Sequence, residues 1–353
     1  MKRIILVVIF AIIITFLALY SFHDDDKIKE KGFQKPRSGV AIIMTGAAAR
    51  IPQEAALLEE LDNRDLLKDL VFISGVSSGA LNSVMLNGIL SKKMSWDRYK
   101  NILFNIKTSD IFVQNDKKLP VNTSPARTLF TNVVEDSLGY HTIGDLPYYT
   151  AISFTHIENL YFKKNVYRMC SRKINSESDT TLNLVDIMMA SSAFPLVFPA
   201  IKIQNVKTIP DANYVDGGVG DDHVPYHALI EFEKYRGVGV EKVYIISRGT
   251  DSIPSVSEEL KALGMDDNGL FDKLGISMDA YLKKGIDRRL KQFAKDAPEL
   301  TSRSYVWIPK LDAEFLLFNF DSLKKQYDMT TEWAKTNEPI PLDVYLSKMR
   351  EEL

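Results

Sequence analysis

DLVFISGVSSGALNSVMLNG, Asp69 to Gly88, sets a strand, a tight turn and a helix in succession. Leu70 to Ile73 is an apolar run of strand length; Gly75-Val76-Ser77-Ser78-Gly79 follows and leads into small, helix-compatible residues. Glycines two residues either side of Ser77 let strand and helix pass without a clash, so that the serine hydroxyl stands proud of the sheet. Ser77 then opens a helix, where free amides and the helix dipole favour developing negative charge. The bland alternative for the same residues is a Gly-rich turn with no chemical duty.

Upstream lies VAIIMTGAAARIPQEAALLEEL, Val40 to Leu61. A buried-type strand ends at Thr45-Gly46, small residues Ala47 to Ala49 follow, then Arg50, and a helix opens with Pro52 in its first turn, where a missing N–H costs nothing. A turn of small residues lets a carbonyl oxygen approach the amides of Ala47 and Ala48, the donors that acyl transfer requires. Downstream, ASSAFPLVFPAI (Ala190 to Ile201) precedes Tyr214-Val215-Asp216-Gly217-Gly218-Val219, in which a turn points an aspartate at its neighbours. Either segment alone is equally well explained as a structural turn.

Apolar runs of strand length alternate with longer amphipathic stretches, which predicts an α/β sheet covered by helices. The expected strands are Val40 to Met44, Leu70 to Ile73, Tyr149 to Phe154, Tyr161 to Arg168, Val243 to Ser247 and Tyr305 to Ile308. No internal repeat interrupts this pattern.

Taken together, Gly46 to Arg50, Gly75 to Gly79, Ala190 to Pro199 and Asp216 to Gly218 resemble the patatin-like phospholipases. That family carries a glycine-rich oxyanion loop ending in Arg, a Gly-x-Ser-x-Gly elbow, an Ala-Ser-x-Ala...Phe-Pro segment and an Asp-Gly-Gly, in this order. The likeness covers roughly Val40 to Arg248; HTIGDLPYYTAISFT (His141 to Thr155) looks like the family's strand ahead of the Phe-Pro segment. It implies a three-layer α/β/α fold with a mostly parallel central sheet, and a lipid acyl hydrolase of phospholipase A or lysophospholipase type. Ser77 would be the nucleophile and Asp216 its base, with Gly46, Ala47, Ala48 and Arg50 around the oxyanion. Gly75, Gly79, Gly217 and Gly218 would shape the turns, and Phe194 and Phe198 would face the acyl chain. One departure stands out: alanines occupy positions 47 and 48, and Ile51 a third position, where the family usually has glycine. Methyl groups there could crowd the oxyanion or forbid a positive φ, which keeps an inactive lipid-binding or scaffold relative in play. A Ser-His-Asp esterase is the other alternative, with His223 or His227 as the histidine.

Composition bounds the partners. The 353 residues are 45% hydrophobic and 25% charged, as in a globular chain, and a net charge of -2 offers no global attraction for nucleic acid. A single cysteine, Cys170, excludes an intrachain disulfide framework and a Cys-rich metal cluster. His223 and His227, four apart, lack an accompanying HExxH, so no metal is expected, and no cofactor either. The expected substrate is a phospholipid or other acyl-ester lipid, and the expected partner a membrane. Before the domain, Ile4 to Phe22 is uncharged and at 1.5 Å per residue would span roughly 28 Å, close to the hydrocarbon core. With Lys2 and Arg3 before it and Asp24 to Asp26 after it, it reads as a single-pass transmembrane anchor holding the body on the non-cytoplasmic side. A cleaved signal, leaving the protein secreted, is the rival reading. The organisation expected is thus an anchor over 1–22, a polar linker over 23–38, a catalytic domain over 39–250 and an extension over 251–353 that packs on it as a candidate lid. Within that extension, Tyr281 to Lys295 sets Leu282, Ile286, Leu290 and Phe293 at helical spacing among basic residues, the pattern of a core-packed surface helix or of one lying on an anionic membrane.

Overall fold

The computed structural model of the chain describes residues 37–46, 48–115, 118–157, 166–249, 256–265 and 283–351. The chain divides into Met1–Pro36, which lies outside the described residues, and Arg37–Leu353, to which everything below refers.

One large sheet links hydrogen-bonded strands in the succession β11-β10-β9-β1-β2-β5-β8-β7, with β2 and β8 on one edge of β5 and β6 on its other edge. The strands are β1 (Val40–Met44), β2 (Leu70–Val76), β5 (Tyr149–His156), β6 (Val166–Cys170), β7 (Ile201–Lys202), β8 (Asn213–Asp216), β9 (Lys242–Ile246), β10 (Ser304–Trp307) and β11 (Ile340–Pro341). A separate hairpin joins β3 (Val113–Asn115) to β4 (Lys118–Asn122). From β10 across to β5 the pairs are parallel. The antiparallel pairs of this sheet among the described residues are β10 with β11, β5 with β6, β5 with β8, and β7 with β8.

The central strands read as near-continuous apolar runs because helices cover both faces. On β1 the faces separate cleanly by the two-residue period. Ala41 and Ile43 pack with Phe232 of α6 (His227–Arg236), Leu290 and Phe293 of α7 (Lys283–Asp296) and Leu346 of α9 (Leu342–Glu351). Ile42 and Met44 pack on the opposite face with Leu57, Leu58 and Leu61 of α1 (Ile51–Asn63), Leu86 of α2 (Ser78–Leu90) and Ala334 of α8 (Leu323–Ala334). The result is the three-layer α/β arrangement with a mostly parallel sheet. A third apolar cluster, drawing on α3 (Trp96–Asn105), α4 (Ser124–Phe130) and α5 (Leu184–Ser191), surrounds a cavity beyond the ends of β1 and β2.

The transmembrane part of the fold expectation, and the single-pass localisation drawn from it, are corrected here. Among the described residues no helix is long and apolar enough to cross a membrane, and Ile4 to Phe22 lies outside those residues. The apolar stripe of α7 is core: Ile286, Leu290 and Phe293 are each at most 3% exposed. At about 1.5–3 kcal/mol for each buried side chain, placing these three in the core stabilises the fold by about 5–9 kcal/mol relative to exposing them to water.

Candidate active site

Ser77 follows the last residue of β2 and caps α2 with φ 56° and ψ −131°, a conformation that a residue with a Cβ adopts only when its surroundings hold it there. The surroundings are close-packed. A Cβ on Gly75 would lie 2.4 Å from Gly79 O, and one on Gly79 would lie 2.8 Å from Met44 O, so glycine is required on both sides of the elbow. The Ser77 N–H donates to Ser191 Oγ at 3.0 Å, and that hydroxyl donates to Ser153 O at 2.7 Å, tying the elbow to β5 and α5.

Asp216 arrives from the other direction. On β5, Ser153 pairs with Val76 on one side and Arg168 on the other, while Phe154 pairs with Asp216 on one side and Tyr167 on the other. Because β6 occupies the same edge in both cases, β2 and β8 share the opposite edge and meet end to end there. Val76 and Asp216 are therefore successive neighbours of β5, and Ser77 is the next residue after Val76. Asp216 is 4% exposed; its N–H donates to Ala193 O at 3.1 Å, and its Oδ1 accepts the Gly218 N–H at 2.8 Å.

The turn after Asp216 is clamped from behind. Asp222 is fully buried: its Oδ2 accepts from Ser153 Oγ at 2.6 Å and from Arg168 Nε at 2.9 Å, and its Oδ1 accepts from Arg168 Nη2 at 2.8 Å. Burial works to raise its pKa, but the charge and hydrogen bonds of Arg168, helped by Ser153, hold it below the ordinary carboxylate range. The Asp222 N–H closes on Gly217 O at 3.1 Å.

Ser77 and Asp216 line the same cavity, about 1360 Å³ of empty space with its open mouth included. Its walls are almost wholly apolar: Leu103 of α3, Ala126 of α4, Met188 of α5, Phe194, Phe198 and Phe318 are among them. A chamber of this kind has the volume and surface for a hydrocarbon chain.

The sequence profile of the patatin-like phospholipases matches residues 42–230, more than half of the chain. The chain belongs to the patatin-like phospholipase family. Membership implies hydrolysis of lipid acyl esters. Among solved structures, VipD from Legionella pneumophila is similar over 85% of this chain and 67% of its own, at 11% identity and a TM-score of 0.36. The type III effector protein ExoU is similar over 89% and 54%, at 11% identity and 0.38. ExoU in complex with SpcU, from the type III secretion system of Pseudomonas aeruginosa, is similar over 76% and 60%, at 14% and 0.29. Comparison with curated proteins returns no match.

In this patatin-like chain, Ser77, Asp216, Gly46, Ala48, Gly218, Phe194 and Phe198 line one cavity, whereas Arg50 does not. The Arg50 guanidinium donates to Phe315 O from Nε at 3.2 Å and from Nη2 at 2.8 Å, and to Gly249 O, and it lines a different hollow. Gly46 has its N–H engaged by Glu54 at 2.7 Å. Ala47 lies outside the described residues. Ala48 adopts φ 45°, so the positive φ that glycine would take freely is here carried by an alanine. Of the histidines, His223 joins the cavity wall and His227 does not. Burial and the nearby Arg248 push the pKa of His223 down to about 3, so it is neutral at physiological pH. Burial pushes the Cys170 thiol up to about 12, which suits an inert core residue.

Two parts of this site escape sequence reading. Leu317, Phe318 and Phe320, from the region after the last recognisable motif, line the cavity. The same segment braces the loop after β1, where Ala49 N–H donates to Leu317 O at 2.8 Å. Glu54 also escapes notice, because an acid in the first turn of a helix reads as a simple complement to the helix dipole.

Proposed function

We propose that the chain cleaves the fatty acyl ester of a phospholipid or lysophospholipid, with Ser77 as nucleophile and Asp216 as its base. The observation that supports this most is the end-to-end meeting of β2 and β8, which brings the strained serine and a buried aspartate to one apolar chamber. In this reading Asp216 takes the hydroxyl proton as Ser77 Oγ bonds to the acyl carbonyl carbon, giving a tetrahedral oxyanion. Collapse expels the alcohol, which receives that proton, and leaves an acyl-serine. Water then attacks the acyl-serine with Asp216 again as base, and collapse releases the fatty acid as that proton passes from Asp216 to Ser77 Oγ.

The oxyanion would be met by amides of the loop after Gly46, from Ala47 and Ala48, and by the entrance of α2. Arg50 in this reading braces the loop against Phe315 and Gly249 and does not touch the oxyanion. The Gly218 N–H fixes the Asp216 carboxylate through Oδ1. Phe194 and Phe198, in the cavity wall, would contact the acyl chain.

A fluorophosphonate probe tests the reading, since it requires an activated serine. Wild type should label and Ser77→Ala should not, and fatty acid should be released from phospholipid, lysophospholipid and short esters by wild type alone. A folded wild type that neither labels nor turns over any of these would instead favour the lipid-binding alternative.

A further inference from the structure

The reaction just described makes no use of Glu54, a fully buried carboxyl. Glu54, in the first turn of α1, has no exposed surface. Its Oε1 accepts from the Gly46 N–H at 2.7 Å and from the Thr45 hydroxyl at 3.3 Å; its Oε2 accepts from Asn82 Nδ2 at 3.3 Å. Asn82 donates also to Ile51 O at 3.2 Å, and its Oδ1 receives the hydroxyl of Tyr99, a cavity-wall residue, at 2.5 Å. On the other side, Thr45 Oγ1 and Ser247 Oγ lie 2.8 Å apart, and Arg248 Nη1 donates to Ser247 Oγ at 2.9 Å. A buried hydrogen-bonded chain thus runs from the wall of the acyl chamber to the loop after β1.

That loop touches the elbow. A Cβ on Gly46 would lie 2.3 Å from Val76 O and 2.9 Å from Ser77 Cβ, so any shift of Gly46 is felt at Ser77. The Gly46 N–H points to Glu54, which sets the plane of the Thr45–Gly46 peptide. Gly46 takes φ 68° and Ala48 φ 45°, left-handed values on either side of position 47. A run of alanines lacks the freedom of glycine to find this path unaided.

We propose that Glu54 is a positioning residue: by holding the Gly46 amide it turns the loop so that the amides beyond Gly46 meet the carbonyl oxygen of a substrate attacked by Ser77. The inference rests on the hydrolase reading for its catalytic consequence. It assigns Glu54 no proton transfer. What matters is the acceptor oxygen Oε1, which glutamine also presents, and its reach, which aspartate lacks by one methylene.

The test uses the full chain as wild type, Glu54→Gln, Glu54→Ala and Glu54→Asp, each checked for folding by thermal melting. Two readouts are taken: kcat and KM on p-nitrophenyl butyrate, and hydrogen exchange of peptides spanning Met44 to Ala49. Losing an aligned oxyanion donor costs about 100-fold or more in kcat. Glu54→Ala should therefore lose about that factor with KM within about twofold, Glu54→Asp should follow it, and Glu54→Gln should stay within about fivefold of wild type. Exchange at Gly46 should accelerate in the Ala and Asp variants and stay protected in Gln. A folded Glu54→Ala as fast as wild type would overturn the proposal, and so would unchanged Gly46 exchange or a Gln variant as slow as Ala. If Glu54→Ala does not fold, the Asp and Gln pair decides. If wild type itself neither labels nor hydrolyses, the hydrolase reading fails, and the exchange data decide separately whether Glu54 holds the loop.

Discussion

Asp216 stands opposite Phe154, and Val76, the residue before Ser77, stands opposite Ser153 on the same edge of β5, so the strand ends carrying Ser77 and Asp216 converge. The register makes a dyad feasible without any third strand between the two residues. Replacing Asp216 by asparagine keeps an acceptor for the Gly218 N–H but removes the base. Positioned proton transfer contributes about 10²–10⁴ in rate. Asp216→Asn should lose about that much in kcat on a short ester while its melting temperature changes little, and Ser77→Ala should lose at least as much.

His223 shares the cavity wall with both residues, which gives the Ser-His-Asp esterase alternative its one structural support. In the dyad reading it is a neutral wall residue, and His223→Asn should retain activity within about tenfold. Steady-state kinetics of His223→Asn beside Asp216→Asn separates the two. Activity abolished by the histidine change and kept by the aspartate change would rule out the dyad.

Much of this architecture is legible in the sequence, and the parts that are not share a cause. Strand β1 is expected and observed over Val40 to Met44, and β2, β5, β9 and β10 start within a residue of their expected positions, because buried parallel strands are written as continuous apolar runs. The strand expected over Tyr161 to Arg168 overlaps β6 at Val166 to Arg168, its first five residues lying outside the described residues, whereas the two-residue β7 and β11 are too short to carry a pattern. The elbow is legible because its glycines are demanded by contacts a few residues away. The loop's dependence on Glu54, and the contribution of Phe318 to the chamber, depend on contacts hundreds of residues apart or on hydrogen bonds that leave no periodicity. Arg50 shows the limit of motif transfer: its position matches the family pattern, yet its guanidinium serves carbonyls at Gly249 and Phe315.

The Asp216 turn should tolerate no added carbon at Gly217. A Cβ there would lie 2.7 Å from Ser153 Oγ and 2.8 Å from Ser153 O, and the Ser153 hydroxyl is already committed to Asp222. Overpacking of this kind costs about 1–3 kcal/mol. Gly217→Ala should lower the denaturation midpoint accordingly, and kcat should fall further than stability because Asp216 moves with the turn. Urea titration together with ester kinetics measures both.

Ala48 carries a left-handed φ of 45° where the family usually has glycine. That conformation costs a residue with a Cβ about 1–2 kcal/mol, while glycine gives back about 0.4–1 kcal/mol through the greater freedom of its unfolded chain. Ala48→Gly should therefore leave stability unchanged or raise it by up to about 1.5 kcal/mol. Its effect belongs on the rate. Without the methyl group facing the cavity, kcat/KM should rise several-fold, and a fall would show that the alanine is adapted to this site.

Mild acid should destabilise the fold through His223. Burial, the largest influence, and the charges of Arg248 and Arg288 hold its folded pKa near 3, against the pull of Asp221 and Asp222 in the other direction. The ordinary value is 6.5, so the neutral form is the one the fold favours. Its contribution is complete above about pH 6.5 and is lost progressively as pH falls from there toward 3. At about 1.4 kcal/mol per pH unit, moving from pH 7 to 5 removes about 2 kcal/mol. His227, pushed down to about 4 chiefly by burial, acts in the same sense but is partly exposed and weaker. Asp222, held low, matters only below its ordinary 3.8. Glu54, pushed up by burial, works in the opposite sense, being disfavoured when ionised. Comparing wild type with His223→Asn cancels Glu54, Asp222 and His227 alike. Between pH 7 and 5 the unfolding free energy of the variant should fall less than that of wild type by about 2 kcal/mol, and parallel curves would mean that His223 protonates in the folded protein without resistance.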